Sequence, residues 1–290
     1  MEIIRTVEWM KQTGRQARAE GRLAGFVPTM GALHAGHLSL VRAALAECQP
    51  LIASIFVNPT QFGPGEDFQK YPRSFAEDAK MLEEAGVEYL FAPEAAEIFP
   101  AEFRTWVTVE GLSERLEGRA RPGHFRGVTT VVLKLLEIVQ PRKAYFGRKD
   151  AQQARIIRQM VRDLHLDAEI VVCPIVREPD GLAMSSRNAY LKPHERRAGT
   201  ILFRALEGAR ASIARGERDA LRLAATMREV LRTEPLAAVD YAEIVDAETL
   251  EQVTRLRGVC LALLAARVGA TRLIDNMLME ERDGAFLTTL

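Results

Sequence analysis

The chain has 290 residues, of which 48% are hydrophobic and 27% are charged, and its 39 Lys and Arg residues are balanced by 39 Asp and Glu residues. This length accommodates one large domain or two moderate ones, and the composition is typical of a globular protein. A general affinity for nucleic acid or for an anionic membrane needs a basic excess, which this balance excludes. A local phosphate-binding patch stays an alternative at the Arg-rich stretches 115–126 and 142–162, where a solvated surface is favoured for most of the arginines.

Strand-like and helix-like segments alternate through the first 175 residues. Short apolar runs predict strands, and apolar residues three or four positions apart among charges predict helices. In chain order, strands are predicted at 25–28, 50–57, 87–91, 143–146 and 168–172, and helices at 38–48, 74–85, 128–139 and 151–164. The alternation indicates an α/β fold with a mainly parallel sheet, which binds ligands at the carboxyl ends of its strands.

The pattern changes after Leu191. Residues 193–234 are rich in Ala, Arg and Leu and predict one or two helices. Strand-like runs follow at 241–245, 259–265 and 271–274. Helices followed by strands indicate a smaller α+β domain. We therefore predict an N-terminal domain at 1–175 and a C-terminal domain at 176–290.

Cysteine usage and the N-terminus indicate a cytoplasmic location. Cys48, Cys173 and Cys260 are unevenly spaced, so they resemble neither a disulfide framework nor a zinc site, and we expect buried, reduced thiols. The first residues carry scattered charges and lack the apolar run of a signal peptide. No stretch approaches the ~18 uninterrupted apolar residues of a membrane span.

The first candidate site is the segment TMGALHAGH at residues 29–37, which lies between a predicted strand and a predicted helix. A helix N-terminus offers unpaired N–H groups to a phosphate, and Gly31 and Gly36 allow a close approach of the backbone. The imidazoles of His34 and His37 can donate to charge developing on phosphoryl oxygens. Two histidines at this spacing favour a functional site over a pair of surface histidines.

The second candidate is NPTQFGPGED at residues 58–67, again after a strand. The amide of Gln61 offers both a donor and an acceptor, which suits a hydroxy acid. Glycine and proline mark residues 63–73 as a candidate mobile flap. An ordinary polar turn explains this composition equally well.

Two later segments complete the candidates. FGRKDAQQ, residues 146–153, lies between a strand and a helix, where Lys149 can neutralise phosphate and Asp150 can accept from ribose hydroxyls; charge at the end of a solvated helix is the alternative. The segment at 176–188 contains a Pro-Asp-Gly turn and then Met-Ser-Ser-Arg, whose hydroxyls and guanidinium suit the outer phosphates of a nucleotide. A plain interdomain linker is the alternative there. No P-loop or dinucleotide fingerprint occurs.

The ordered motifs resemble the pantothenate synthetase (pantoate–β-alanine ligase) family, within the HxGH nucleotidyl-transferase superfamily. Any one motif is shared with other nucleotidyl transferases, whereas the full set is specific. The similarity is strong over residues 25–192 and looser beyond them. The motifs that carry it are PTMGALHAGH, IFVNPTQF, YPR, RPGHFRGV, FGRKDAQQ and VREPDGLAMSSRNAYL.

The resemblance implies an ATP-dependent condensation of pantoate with β-alanine through pantoyl-adenylate. It also implies a Rossmann-like N-terminal domain, a C-terminal lid domain, Mg²⁺ on the phosphates, a homodimer, and no nucleic acid or membrane partner. His34, His37 and Lys149 would be catalytic, and Gln61 and Gln153 would bind pantoate. The ATP site that it implies consists of Met30, Gly31, His34, His37, Gly147, Lys149, Asp150, Val176, Met184, Ser185, Ser186 and Arg187.

Two departures from the family pattern occur in one segment: Arg148 replaces a common Glu, and Ala151 replaces a common aromatic residue. They leave the implied ligands intact. Three other functions remain open, namely another adenylyl- or cytidylyl-transferase, a synthetase-like fragment acting on tRNA, and a catalytically inactive nucleotide sensor. The zero net charge argues against tRNA, and the retained histidines and Lys149 argue against the sensor.

Overall fold

A computed structural model describes residues 1–290, and the chain forms two compact units. The first comprises Met1–Arg148 and Gln152–Pro174, and the second comprises Lys149–Ala151 and Ile175–Leu290. The tripeptide Lys149–Ala151 thus belongs to the second unit, although the chain on both sides of it belongs to the first. None of the helices combines the length and the apolar character that crossing a bilayer requires.

A six-stranded sheet forms the centre of the first unit. Its strands are β1 (Glu2–Ile4), β2 (Gly25–Thr29), β3 (Leu51–Ile55), β4 (Tyr89–Phe91), β5 (Lys143–Gly147) and β6 (Glu169–Cys173). Their spatial order is β1-β4-β3-β2-β5-β6 and every pairing is parallel. The predicted α/β fold is therefore confirmed.

Seven helices belong to this part of the chain, and several begin or end near the predicted positions. They are α1 (Val7–Ala19), α2 (Ala35–Leu45), α3 (Phe75–Glu84), α4 (Ala95–Ile98), α5 (Glu117–Ala120), α6 (His124–Val139) and α7 (Ala151–Asp163). Helix α2 packs against β2 and β5, and its apolar side chains bury the sheet residues below it.

The N-terminal strand β1 and helix α1 have no counterpart in the sequence prediction. The buried side of α1 is made of Met10, Gly14 and Ala17, which have helical spacing but little apolar volume. Gly14 is required there, because a Cβ atom would lie 2.3 Å from the carbonyl oxygen of Val139 in α6. Close helix packing through small residues produces no apolar stripe, so the periodicity criterion misses it.

The carboxyl ends of β2 and β5 form the topological switch point of the sheet. From β2 the chain continues to β3 on one side, and from β5 it continues to β6 on the other. The β2–β5 pairing stops at Phe26, before Pro28, whose nitrogen has no hydrogen to donate. A crevice for ligands is expected at such a point. The histidine loop begins directly after β2.

All three cysteines are free and buried, as predicted. Burial raises the pKa of the Cys173 and Cys260 thiols. The Cys48 sulfur lies 3.3 Å from the hydroxyl oxygen of the fully buried Tyr145. Buried thiols are poor nucleophiles, so these residues are parts of the core and not reactive groups.

The second unit has an antiparallel sheet and three helices. The sheet order is β10-β9-β8-β7, with β7 (Ala237–Asp246), β8 (Val259–Val268), β9 (Thr271–Arg282) and β10 (Ala285–Thr289). The helices are α8 (Pro193–Gly199), α9 (Ile201–Ala214) and α10 (Ala220–Arg232). The predicted α+β composition is confirmed. The prediction of one or two helices at 193–234 is wrong. The helical region is interrupted at Thr200 and again at Arg215, which gives three helices.

Candidate active site

The two motif histidines form the N-terminus of α2. The helix begins at Ala35, earlier than predicted, so His34 is its N-cap and His37 lies in its first turn. His34 Nδ1 accepts from the N–H of Gly36 at 3.1 Å, and His37 Nδ1 accepts from the N–H of His34 at 3.3 Å. Each imidazole thus takes a capping position that Ser, Thr or Glu usually fills.

This capping arrangement determines which ring nitrogen of each histidine carries the proton. A nitrogen that accepts from a backbone N–H cannot itself hold a hydrogen, so the neutral rings of His34 and His37 are protonated at Nε2. The ring centroids are 4.1 Å apart. The two rings therefore lie together at the positive end of a helix dipole, where an Nε2–H donor suits an anionic phosphate.

Asp78, a buried carboxylate in α3, holds the loop that leads to these histidines. Its two oxygens accept from the N–H groups of Ala32 and Leu33, each at 2.8 Å. The loop needs this support because Gly31 and Ala32 both have positive φ angles, of 81° and 51°. A Cβ atom on Gly31 would lie 3.0 Å from Asp78 Oδ2. Glycine is thus favoured by its backbone angle and by the space available.

Gln61 ends the short 3₁₀ helix Pro59–Gln61, and its side chain lies beside the histidine loop. The amide nitrogen donates to the sulfur of Met30 at 3.0 Å. The amide oxygen accepts from Asn58 Nδ2 at 3.0 Å. The structure therefore brings the predicted residues Met30 and Gln61 into contact, and Asn58, which is not among the predicted site residues, orients the amide.

The predicted flap at 63–73 contains the 3₁₀ helix Asp67–Gln69 and has two anchors in the first unit. Glu66 receives two hydrogen bonds of 2.7 Å from Arg121. Tyr71 is buried and packs edge-on against Phe62. Pro64 and Gly65, which precede the first anchor, are exposed, as are Gln69 and Lys70 between the two. Glu66 and Tyr71 thus attach this segment to the rest of the first unit at two points.

The paired glutamines in the first turn of α7 have different environments. Gln152 is buried and binds the backbone at the loop that leads into α5. It accepts from the N–H of Glu117 and donates to the carbonyl oxygens of Leu112 and Arg115. Gln153 is half-buried. Gln152 thus has a structural task, which leaves Gln153 as the amide available for a ligand.

Gly147, which ends β5, has open space where a Cβ atom would stand.

Lys149 and Asp150 belong to the second unit, where Asn276 of β9 fixes them. Asn276 Nδ2 donates to the carbonyl oxygen of Lys149 at 3.0 Å. The Lys149 ammonium lies 3.5 Å from the Asp150 carboxylate and is 21% exposed. Because the Lys149 ammonium already reaches solvent, it can exchange its contact with Asp150 for a contact with a phosphate.

Residues 176–187 form a tight hairpin and a 3₁₀ turn in the second unit. The carbonyl oxygen of Val176 accepts from the N–H of Met184 at 3.0 Å, and Gly181 at the turn has a φ of 91°. Ser185 then caps the 3₁₀ helix Ser186–Tyr190 through the N–H of Arg187. The hairpin thus brings together the five predicted ATP residues of this segment: Val176, Met184, Ser185, Ser186 and Arg187.

A buried ion pair supports this hairpin. Arg177 donates to both carboxylate oxygens of Asp275 in β9, at 2.7 and 3.0 Å, and stacks on Phe203 with 4.8 Å from the guanidinium carbon to the ring centroid. Asp275 is 3% exposed. Neither Asp275 nor Asn276 is among the site residues predicted from the sequence. Their signal is a pair of polar residues inside the otherwise apolar run 273–279 of β9, which is unusual unless both are bonded.

Comparison with known proteins connects this geometry to one family. The model of the family described as pantoate-beta-alanine ligase matches residues 2–278. The chain is 60% identical to a pantothenate synthetase of Acidobacterium capsulatum over 91% of this chain and 89% of that protein. It is 54% identical to that of Heliobacterium modesticaldum over 97% of this chain and all of the relative.

Solved structures agree with this result. The crystal structure of pantothenate synthetase from Thermus thermophilus superposes with a TM-score of 0.90 at 45% identity, covering 95% of this chain and 98% of that one. A pantoate-beta-alanine ligase from Francisella tularensis, complexed with beta-gamma ATP and β-alanine, superposes with a TM-score of 0.78 at 34% identity, covering 96% and 97%. The chain therefore belongs to the family of pantoate–β-alanine ligases and is an enzyme of that class.

Proposed function

We propose that this ligase activates pantoate as pantoyl-adenylate before β-alanine attacks. Overall, pantoate, β-alanine and ATP give pantothenate, AMP and pyrophosphate. The pantoate carboxylate attacks the α-phosphorus of ATP and pyrophosphate leaves. The amine of β-alanine then attacks the acyl carbon, loses a proton and releases AMP. The intermediate is needed because a carboxylate is a poor acyl donor, whereas its anhydride with AMP has a good leaving group.

The histidine pair is the observation that carries this proposal. Both imidazoles cap α2 through Nδ1, so their Nε2–H groups are the donors at the phosphate-binding end of the helix. Donors fixed in this way stabilise charge that develops on phosphoryl oxygens as pyrophosphate leaves. An acyl-enzyme route has less support, because the three thiols are buried core residues.

The other predicted residues supplement this pair in our proposal. Lys149 neutralises the phosphates, Asp150 accepts from the ribose, and Gln61 and Gln153 hold pantoate. Gly31, Met30, Gly147 and the hairpin residues Val176, Met184, Ser185, Ser186 and Arg187 complete the nucleotide site. The complex of the Francisella tularensis relative with beta-gamma ATP and β-alanine supports both molecules as substrates of this chain.

Omitting one substrate at a time tests the reaction. Over many turnovers, AMP release should require ATP, pantoate and β-alanine together. A nucleotidyl transferase of another kind would release pyrophosphate from ATP with no need for β-alanine. Steady AMP formation that is unchanged when β-alanine is withheld would contradict the ligase reaction.

We expect Gln61→Ala to weaken pantoate binding far more than ATP binding. The substitution removes a donor and an acceptor from a half-buried site, which costs roughly 1–3 kcal/mol of binding free energy. Titration calorimetry with each ligand measures the two effects. Gln69→Ala, at an exposed position further along the chain, is the control and should change neither affinity. Equal losses of pantoate and ATP affinity in Gln61→Ala would indicate general damage to the site.

The segment at 63–73 is expected to become more protected from hydrogen exchange when ATP and pantoate are both present. A reactive adenylate needs shielding from water, and Pro64 and Gly65 are exposed beside the proposed pantoate ligand. Exchange measured by mass spectrometry with ATP alone, and then with both substrates, separates nucleotide binding from adenylate formation. Unchanged protection in this segment would exclude a flap.

Four further features complete the proposal. Mg²⁺ neutralises charge on the triphosphate. The chain has no cluster of three His, Cys, Asp or Glu side chains arranged to hold a metal, so the phosphate oxygens would supply most of its ligands. Three predictions from the sequence stay part of this proposal. They are a catalytic domain at 1–175 with a lid at 176–290, a homodimer, and a cytoplasmic location. Sedimentation of the purified chain tests the dimer.

A further inference from the structure

A third histidine, outside the proposed catalytic pair, contacts the loop that carries Gln61. His124 is the first residue of α6 and is 9% exposed. Its Nδ1 lies 2.8 Å from the carbonyl oxygen of Gln61, and its Nε2 lies 3.1 Å from Nη1 of Arg121. The ring therefore bridges a cation and the backbone of a proposed substrate ligand.

The two partners of His124 leave only one protonation state. A guanidinium can only donate a hydrogen bond, and a carbonyl oxygen can only accept one. Nε2 must therefore be the acceptor, and the single proton must be on Nδ1, where it donates to Gln61. This tautomer is the opposite of the one that helix capping imposes on His34 and His37.

The electrostatic surroundings keep this ring neutral. Burial, followed by the charge of Arg121, lowers the pKa of His124 to about 4, whereas the hydrogen bond to Gln61 and the charges of Glu117 and Glu66 each raise it by less. Glu66 in turn fixes Arg121: burial raises the pKa of this carboxyl, but the bonds and charge of Arg121 outweigh burial and bring it to about 2. The guanidinium is thus held in place from the side opposite the histidine.

Helix α6 contacts the same loop one turn further on. Asn58 Nδ2, which orients the Gln61 amide, also donates to the carbonyl oxygen of Gly127 at 3.2 Å. A Cβ atom on Gly127 would lie 2.3 Å from the carbonyl oxygen of Thr60, so the helix backbone and the loop are in close contact. His124 and Gly127 are three residues apart and lie on the same face of α6.

We propose that His124 is a positioning residue for pantoate: its neutral imidazole, protonated at Nδ1, fixes the Gln61 backbone and so aims the Gln61 amide at the substrate. This inference rests on the proposed function, because it uses the role given there to Gln61. The role proposed for His124 requires no contact with substrate or nucleotide.

Two substitutions separate the two bonds of the ring. The amide of Asn lies near the position of Nδ1, so His124→Asn retains a donor to Gln61 and loses the bond to Arg121. The amide of Gln extends to the position of Nε2, so His124→Gln retains an acceptor for Arg121 and loses the donor. We expect His124→Gln to weaken pantoate binding by roughly tenfold or more. His124→Asn should stay within about threefold of the parent, and ATP affinity should change little in either.

Calorimetric titration of pantoate and ATP into both variants is the test, and long-range ¹H–¹⁵N correlation of the parent enzyme is its independent arm. The parent spectrum should show the proton of His124 on Nδ1 at neutral pH. A proton on Nε2, or equal pantoate affinity in the Asn and Gln variants, would overturn the inference. If Gln61→Ala weakens pantoate binding but His124→Gln does not, only this inference fails. If Gln61→Ala has no effect, the role of Gln61 fails and this inference with it.

Discussion

His37→Ala should fold and bind ATP but form adenylate about 10²–10³ times more slowly than the parent enzyme. The substitution removes one of the two Nε2–H donors at the start of α2. A donor that strengthens as charge develops on the leaving pyrophosphate contributes mainly to the transition state, so the loss should be in the rate constant and not in nucleotide affinity.

Single-turnover adenylate formation, monitored with ATP and pantoate but no β-alanine, measures this effect. The loss of the capping bond should cost only about 1 kcal/mol of stability, which thermal unfolding can check. His194→Ala, at an exposed position in α8, is the matched control and should leave the rate unchanged. Adenylate formation within tenfold of the parent would remove His37 from the catalytic group.

Arg177→Met should destabilise the second unit by about 3–5 kcal/mol. The methionine fills part of the space of the arginine side chain, but it leaves the Asp275 carboxylate buried without its ion-pair partner, so that only the weaker influence of the Lys149 charge remains. Burial raises the pKa of Asp275 even with Arg177 present, and the guanidinium opposes that rise. Without the guanidinium the pKa should rise further.

The pH dependence of this loss follows from linkage. A carboxyl group whose pKa is raised in the folded state costs stability as the pH rises above its unfolded value of about 4, since the unfolded chain then gives up its proton more readily. The deficit of Arg177→Met should therefore be larger at pH 8 than at pH 5. Equilibrium denaturation at the two pH values measures it, and a deficit independent of pH would contradict the assignment.

The second unit provides its own control for this experiment. Arg196 and Asp180 form a similar bidentate pair, at 2.6 and 3.1 Å, but the Asp180 side chain is 44% exposed. Arg196→Met should cost no more than about 1 kcal/mol, because a solvated pair contributes little. Similar losses in both variants would mean that burial of Asp275 is not the cause.

The features that sequence reasoning predicts correctly are those that depend on neighbouring residues. Strands β2, β3, β5 and β6 are short apolar runs, and their alternation with helices is enough to predict a parallel sheet. The histidine loop is predictable because its glycines and histidines lie within nine residues, between a strand and a helix. Its chemistry is local, so its sequence shows it.

The features that sequence reasoning misses depend on contacts between distant parts of the chain. Asp78 binds the histidine loop from 45 residues away, and His124 contacts Gln61 from 63 residues away. Neither separation leaves a periodic signal. Likewise, the sequence Gln152-Gln153 does not show which amide is buried, and the resemblance alone selects Gln153. The predicted start of α2 is wrong because histidine is an uncommon N-cap, so the usual capping signature is absent.

Transfer of oxygen from pantoate to AMP tests the acyl-adenylate route most directly. When the pantoate carboxylate attacks the α-phosphorus, one carboxylate oxygen becomes the bridge of the anhydride, and it stays with AMP when β-alanine displaces it. Pantoate labelled with ¹⁸O in its carboxylate should therefore deliver one ¹⁸O atom to each AMP during full turnover, which mass spectrometry of the nucleotide detects. AMP free of ¹⁸O from the carboxylate would contradict the route and the role given to the histidine pair.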